Sequence, residues 1–135
     1  MMQAARFLLA AAALVALAPV AVAAERAVCR YTYGGESREL IAAPVASPYG
    51  VDAIAVGSHF KFRVVFQDRP AGLAAIKVYV YAGREEGDTP LHEAVYPYPP
   101  PAAPGARFGF TGQHFVYEPM RDGELEYWCR MEDAR

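Results

Sequence analysis

The start of the chain constrains its fold and compartment more than any other stretch. Arg6 precedes an apolar run over residues 7–18, and small residues follow at 21–24. A positive start, a short hydrophobic stretch and an A-x-A-like cleavage site are typical of a secretory signal peptide. We therefore expect residues 1–24 to be a cleaved signal peptide and residues 25–135 to be a single mature domain.

The only two cysteines lie at opposite ends of this mature domain, at Cys29 and Cys129. Export places a chain in an oxidising compartment, where paired cysteines form disulfides. The sequence therefore predicts one bond that ties the first strand to the last and closes nearly the whole domain. The alternative is two free, buried thiols that behave as small apolar side chains.

Charge and hydropathy argue against nucleic acid as a partner and against a membrane span. Loss of Arg6 leaves 12 basic and 15 acidic residues, a net charge of −3, with no basic stripe to bind nucleic acid. No apolar stretch after the signal approaches the roughly 18 residues that a membrane span needs. An alanine-rich leader and the absence of asparagine, hence of N-glycosylation sites, favour a bacterial source. We expect a periplasmic or secreted protein without a membrane span.

The mature sequence alternates between apolar and polar residues again and again. Residues 58–66 show the pattern most clearly, because phenylalanine or valine recurs at every second position. Such alternation is typical of half-buried antiparallel strands. Further candidates are separated by turn signals: 29–33, 36–42, 51–56, 73–81, 91–96, 107–110, 113–117 and 124–131.

These short strands predict an all-β domain, a single antiparallel β-sandwich, Ig-like or barrel-like, of about seven to nine strands. Tyr127-Trp128-Cys129, preceded by Asp122-Gly123, resembles the end of an immunoglobulin-type strand, where a tyrosine lies two residues before the second cysteine. The resemblance covers only these residues and implies a sandwich at most. It departs from the family because Cys29 is almost at the mature terminus and Trp128 adjoins the second cysteine.

The residues that could carry catalysis do not form a recognisable motif. No serine lies in a G-x-S-x-G turn, and the adjacent Ser58 and His59 would point to opposite faces of a strand. Glu124 and Glu126 alternate along one strand as a solvated face does. We expect a non-enzymatic protein without a cofactor.

Metal binding is an alternative function. The three histidines are His59, His92 and His114, and alternation places each on the polar face of its strand. If these strands are neighbours, the rings could converge on Cu or Zn, with Met120 or Met131 as soft ligands for Cu(I). The competing interpretation is three dispersed surface histidines.

Aromatic residues on predicted outer faces favour a binding function. Tyrosine and tryptophan recur at interfaces because they combine a large apolar area with a polar group. The candidate contact residues are Tyr79, Tyr81, Tyr96, Tyr98 and Trp128. The proline-rich loop over residues 97–105 lies beside them. We expect a small binding or accessory module for a protein or glycan partner in the envelope; a structural component of an envelope assembly is a further alternative.

Overall fold

The computed structural model describes residues 13–19, 24–101 and 106–134. Its nine strands are β1 Glu25–Tyr33, β2 Glu36–Ala42, β3 Pro44–Val45, β4 Ile54–Val56, β5 Phe60–Gln67, β6 Ala75–Ala82, β7 Thr89–Pro97, β8 His114–Glu118 and β9 Gly123–Asp133. Short 3-10 turns occupy Pro48–Gly50 and Ala71–Leu73. Within the predicted signal peptide, residues 13–19 and 24 belong to no helix or strand, and the remainder lies outside the described residues. So do residues 102–105 of the predicted proline loop.

The strands form two sheets. One has the order β2-β1-β9-β8; the other has the order β3-β5-β6-β7, with β4 also paired to β5. All strand pairs are antiparallel except β3 with β5, a parallel pair that the sequence pattern did not indicate. This arrangement confirms the predicted all-β sandwich, with both sheets described in the part of the chain that the structure covers.

The core lies between the sheets and follows the alternation in the sequence. Along β5, the buried inward side chains are Phe60, Phe62, Val64 and Phe66. Along β6 they are Ile76, Val78 and Val80. The opposite sheet contributes Tyr31 from β1 and Tyr127 from β9, whose rings lie 5.4 and 5.5 Å from that of Phe62. Tilted aromatic contacts of this kind stabilise a core beyond the area they bury.

The disulfide lies at the centre of the first sheet. Cys29 and Cys129 are direct partners in the register of β1 and β9, with an S–S distance of 2.06 Å, and both are fully buried. The predicted bond between the first and last strands is thus confirmed. It joins neighbours within one sheet, whereas the immunoglobulin disulfide joins two sheets. The limited resemblance therefore does not extend to the disulfide.

One predicted strand, over residues 107–110, is wrong. This segment forms turns and makes a single bridge, between Gly109 and Cys129. Gly109 has a φ of +59°, and an added Cβ would collide with the carbonyl of Cys129. The segment thus runs against β9 beyond the end of β8, too close and too curved for a regular ladder.

Candidate partner-binding surface

The outer face of β8 and β9 carries a cluster of aromatic side chains. Inward-facing Tyr127 and Cys129 alternate with Trp128, which therefore points away from the core. The Phe108 ring packs edge-on against Trp128 at a centroid distance of 6.2 Å. On β8, Phe115 and Tyr117 are 57% and 52% exposed. We call Phe108, Phe115, Tyr117 and Trp128 the β8–β9 aromatic surface.

Three arginines lie on this face, at or near Trp128 and Phe108. The guanidinium of Arg130 lies 5.8 Å from the Trp128 ring centroid, and that of Arg107 lies 5.1 Å from the Phe108 ring. Arg30 is exposed and lies directly opposite Trp128 in the register of β1 and β9. Arg130 forms ion pairs with Glu39 and Glu132. Arg30 and Arg107 have no ion pair with any residue that the structure describes.

Tyr79 and Tyr81 lie on the other side of the sandwich, on the outer face of β6. Their rings stack at a centroid distance of 6.1 Å and an interplanar angle of 11°. Arg63 places its guanidinium 5.1 Å from the Tyr79 ring centroid and donates hydrogen bonds to the carbonyls of Pro48 (2.6 Å) and Val51 (2.7 Å). The Arg63 side chain therefore holds the loop after β3 against this face. Burial, followed by Glu93, raises the pKa of Tyr79.

Tyr96 and Tyr98 point inward from β7 and its end. The Tyr98 ring packs 4.6 Å from that of Phe66, and its hydroxyl donates a 3.1 Å hydrogen bond to Glu25. Tyr96 packs edge-on against Phe110. The five predicted contact residues therefore do not form one surface: the structure separates Trp128, the Tyr79–Tyr81 pair and these two half-buried residues.

Two of the three predicted metal ligands come together between the sheets. The His92 and His114 rings lie 5.3 Å apart, and both contact Tyr127. His92 Nε2 lies 2.6 Å from the Tyr127 hydroxyl, and His114 Nε2 lies 3.1 Å from the Tyr96 hydroxyl and 3.0 Å from the Thr111 carbonyl. Their predicted position on the polar strand faces is wrong, because His92 pairs with inward Val80 and His114 pairs with Tyr127.

This arrangement accounts for the electrostatics of the pair. Burial, followed by the neighbouring His114, lowers the pKa of His92. Burial, followed by Tyr96, raises the pKa of Tyr127. His59 lies instead in the turn before β5 and lines a separate cleft. In the described ranges, no three histidine, cysteine or acidic side chains are grouped so that they could hold a metal ion. Cu or Zn binding stays a prediction.

That cleft contains a buried carboxylate that the sequence reasoning did not single out. Its volume is about 420 Å³, and it lies between the β6–β7 turn and the β8–β9 turn. Glu118, only 1% exposed, accepts hydrogen bonds from Arg84 (3.2 Å) and from the backbone amides of Met120 (3.1 Å) and Arg121 (2.7 Å). Burial opposes ionisation, but these donors outweigh it and lower the pKa of Glu118.

The sequence reasoning also missed Phe108, Phe115 and Tyr117 as surface residues. A usable signal was present for two of them, because Phe115 and Tyr117 flank Val116 in a strand that was predicted. If Val116 faces the core, alternation places both aromatics outside. Phe108 had no such signal, since it lies on an irregular segment that only the fold brings beside Trp128.

Comparison with known proteins adds no further constraint on this surface. No protein-family model, no curated protein and no solved structure matches the chain. Within the described ranges, no helix has the length and apolar character of a membrane span.

Proposed function

We propose that this chain is an exported, non-enzymatic β-domain that binds an acidic segment of a protein partner through the β8–β9 aromatic surface. The observation that carries the proposal is the position of Trp128 and Phe108 beside Arg30 and Arg107, two arginines without ion pairs among the described residues. Tryptophan and arginine are the residue types that most often dominate binding energy at protein interfaces. The guanidinium groups of these two arginines, unpaired among the described residues, favour a partner that supplies carboxylates.

Two features support export. The sequence begins with a pattern typical of a cleaved leader, and the disulfide between Cys29 and Cys129 is a bond that oxidising compartments maintain. We therefore assign the mature domain to the periplasm or the cell exterior.

Binding is favoured over catalysis because the groups best suited to acid–base chemistry are already committed to structure. Glu118 is satisfied by Arg84 and two backbone amides. The Nε2 atoms of His92 and His114 are engaged with tyrosine hydroxyls. A general acid or base needs a free site within hydrogen-bond reach of substrate.

A protein segment fits this surface better than a glycan does. A sugar ring stacks on an open aromatic face, whereas the Trp128 ring is packed by Phe108 and approached by Arg130. Phe115 and Tyr117 add exposed apolar area further along the same face. Aromatic anchors rimmed by charge are typical of protein–protein contacts.

The test is capture from a native envelope extract on immobilised, oxidised protein. The parent chain should retain a stoichiometric protein partner, and Trp128→Ala or the paired change Arg30→Glu with Arg107→Glu should lose it by at least tenfold. Soluble poly-glutamate should compete with the partner. The matched control is Tyr81→Ser, on the opposite sheet, which should retain the partner.

Two results would overturn the proposal. Loss of the partner with Tyr81→Ser, but not with Trp128→Ala, would transfer the binding site to the Tyr79–Tyr81 face. Saturable binding of purified envelope polysaccharide that depends on Trp128 would replace the protein partner with a glycan.

A further inference from the structure

Strand β8 is an edge strand that lacks the usual protection against pairing. Natural edge strands are protected by exposed charges, prolines, bulges, inward-pointing charges or a very short length. β8 reads His-Phe-Val-Tyr-Glu, and its one carboxylate, that of Glu118, points inward but is already buried and bonded to Arg84 and two backbone amides, so an added strand would not leave it unpaired. Its outward side chains, Phe115 and Tyr117, are both aromatic and both more than half exposed. Such a strand can accept another strand along its free edge.

Every other edge of the two sheets has one of these protective features. β2 carries Glu36, Arg38 and Glu39. β7 contains Pro90 and Pro97, and its pairing with β6 is interrupted by a bulge. β3 and β4 have only two and three residues. Among the described strands, β8 is therefore the one edge whose composition favours pairing.

The sequence of β8 is complementary to itself when it is read in the opposite direction. In an antiparallel pair of two copies centred on Val116, Phe115 of each copy lies opposite Tyr117 of the other. His114 of one copy falls in register with Glu118 of the other, but both side chains point inward and are already hydrogen-bonded within their own copy, so the outward Phe115–Tyr117 pairs supply the side-chain contacts. Cross-strand aromatic pairs stabilise antiparallel strands. A two-fold axis generates each contact twice.

We propose that two copies of this chain pair antiparallel through β8, with Val116 on the two-fold axis, so that their four-stranded sheets become one sheet of twice that size. This inference goes beyond the proposed function and does not depend on it. The pairing places the aromatic residues of both copies on one continuous outer face. Trp128 lies on β9, one strand away from the new contact, and stays accessible to a partner.

The test measures the molar mass of the oxidised, full mature protein over a wide concentration range. Because β8 offers only five residues, we expect a weak dimer, whose average mass doubles between dilute and concentrated solution. Phe115→Lys with Tyr117→Lys places like charges opposite each other and should hold the protein monomeric. Phe115→Lys with Tyr117→Glu places opposite charges in the same positions and should restore the dimer. Tyr49→Lys with Leu73→Lys, at exposed sites away from β8, is the matched control and should still dimerise.

Each result decides the proposal. A parent chain that stays monomeric at every concentration overturns it. Loss of the dimer in both charge variants overturns the register. The thermal midpoint at low protein concentration checks that every variant is folded, and it should be similar in all of them. Trp128→Ala should keep the dimer while losing the partner, so the two proposals can fail separately.

Discussion

The two edges of the four-stranded sheet, β2 and β8, are built in opposite ways. β2 is exposed and charged: Glu36, Ser37, Arg38 and Glu39 all lie at the surface, and its charged side chains oppose the addition of another strand. β8 is apolar outside and anchored inside. His114 contacts the Thr111 carbonyl and the Tyr96 hydroxyl, and Glu118 is held by three donors.

This difference separates two ways of keeping an edge strand in place. β2 depends on its hairpin with β1 and on solvation of its charged side chains. β8 depends on polar contacts of its inward side chains, which lie between the two sheets, so its outer face is not needed to hold the strand. A strand held through its inner face can expose aromatic side chains and still stay in the sheet. The anchoring of β8 is thus compatible with the binding role that we propose for this strand.

We expect the largest loss of stability when the disulfide of the β1–β9 pair, which supports both edge strands, is removed. The disulfide closes a loop of 100 residues at the β1–β9 pair, to which β2 and β8 are attached on either side. Loop-closure entropy predicts a loss of roughly 4.7 kcal/mol when the bond is absent. We expect Cys29→Ala with Cys129→Ala to lower the thermal midpoint by at least about 15 °C.

Thermal unfolding with and without reductant checks this prediction, since reductant should shift the parent chain by a similar amount and leave the double variant unchanged. An unaltered midpoint would mean that the bond does not stabilise the fold, and that the two edges are held independently of it.

The next effect compares the anchors of the two edges directly. Glu118→Gln removes the buried charge that faces Arg84 and weakens the acceptor for two backbone amides, so the thermal midpoint should fall by several degrees. Glu39→Gln on β2 removes an exposed ion pair with Arg130, which keeps its second partner, Glu132. Exposed pairs of this kind contribute little to stability, and the midpoint should hardly move.

Equal shifts in the two variants would contradict the view that β8 is anchored more firmly than β2. Amide hydrogen exchange sharpens the comparison, because Glu118→Gln should speed exchange in β8 and leave β2 unaffected.

Most of the fold could be predicted from alternation, whereas most of the site could not. The clean pattern at β5, β6 and β9 reflects one face against the core and one against solvent, and these strands fall where the sequence placed them. Alternation did not predict the inward position of His92 and His114, because a polar residue on an inner face looks like a break in the pattern. The hydrogen-bond partners of these histidines, Tyr127 and Tyr96, are polar only at their hydroxyl groups, so the sequence gives no sign of the pairing. Which loop covers which face, as with Phe108 on Trp128, depends on contacts between segments distant in sequence.

The smallest expected effect tests the anchor that His114 shares with His92 beneath β8. The pKa of His92 is lowered by burial and by His114, and the other titratable groups at this site are the hydroxyls of Tyr96 and Tyr127. As the pH falls through about 6.5, His92 therefore takes up a proton in the unfolded chain before it does so in the folded chain. The free energy of unfolding keeps its full contribution from this site above that pH and decreases as the pH falls below it.

Denaturant unfolding at a series of pH values should reveal this decline, and His92→Gln should make it shallower, since glutamine can retain a hydrogen bond to Tyr127 without taking up a proton. The same change at His59, outside the pair, should leave the His92-dependent slope in place. β2 carries no histidine, so its amide exchange relative to global unfolding should stay constant over this range, while that of β8 should accelerate as the pH falls. A slope that survives His92→Gln intact would assign the acid sensitivity to other groups and remove the histidine pair from the anchoring of β8.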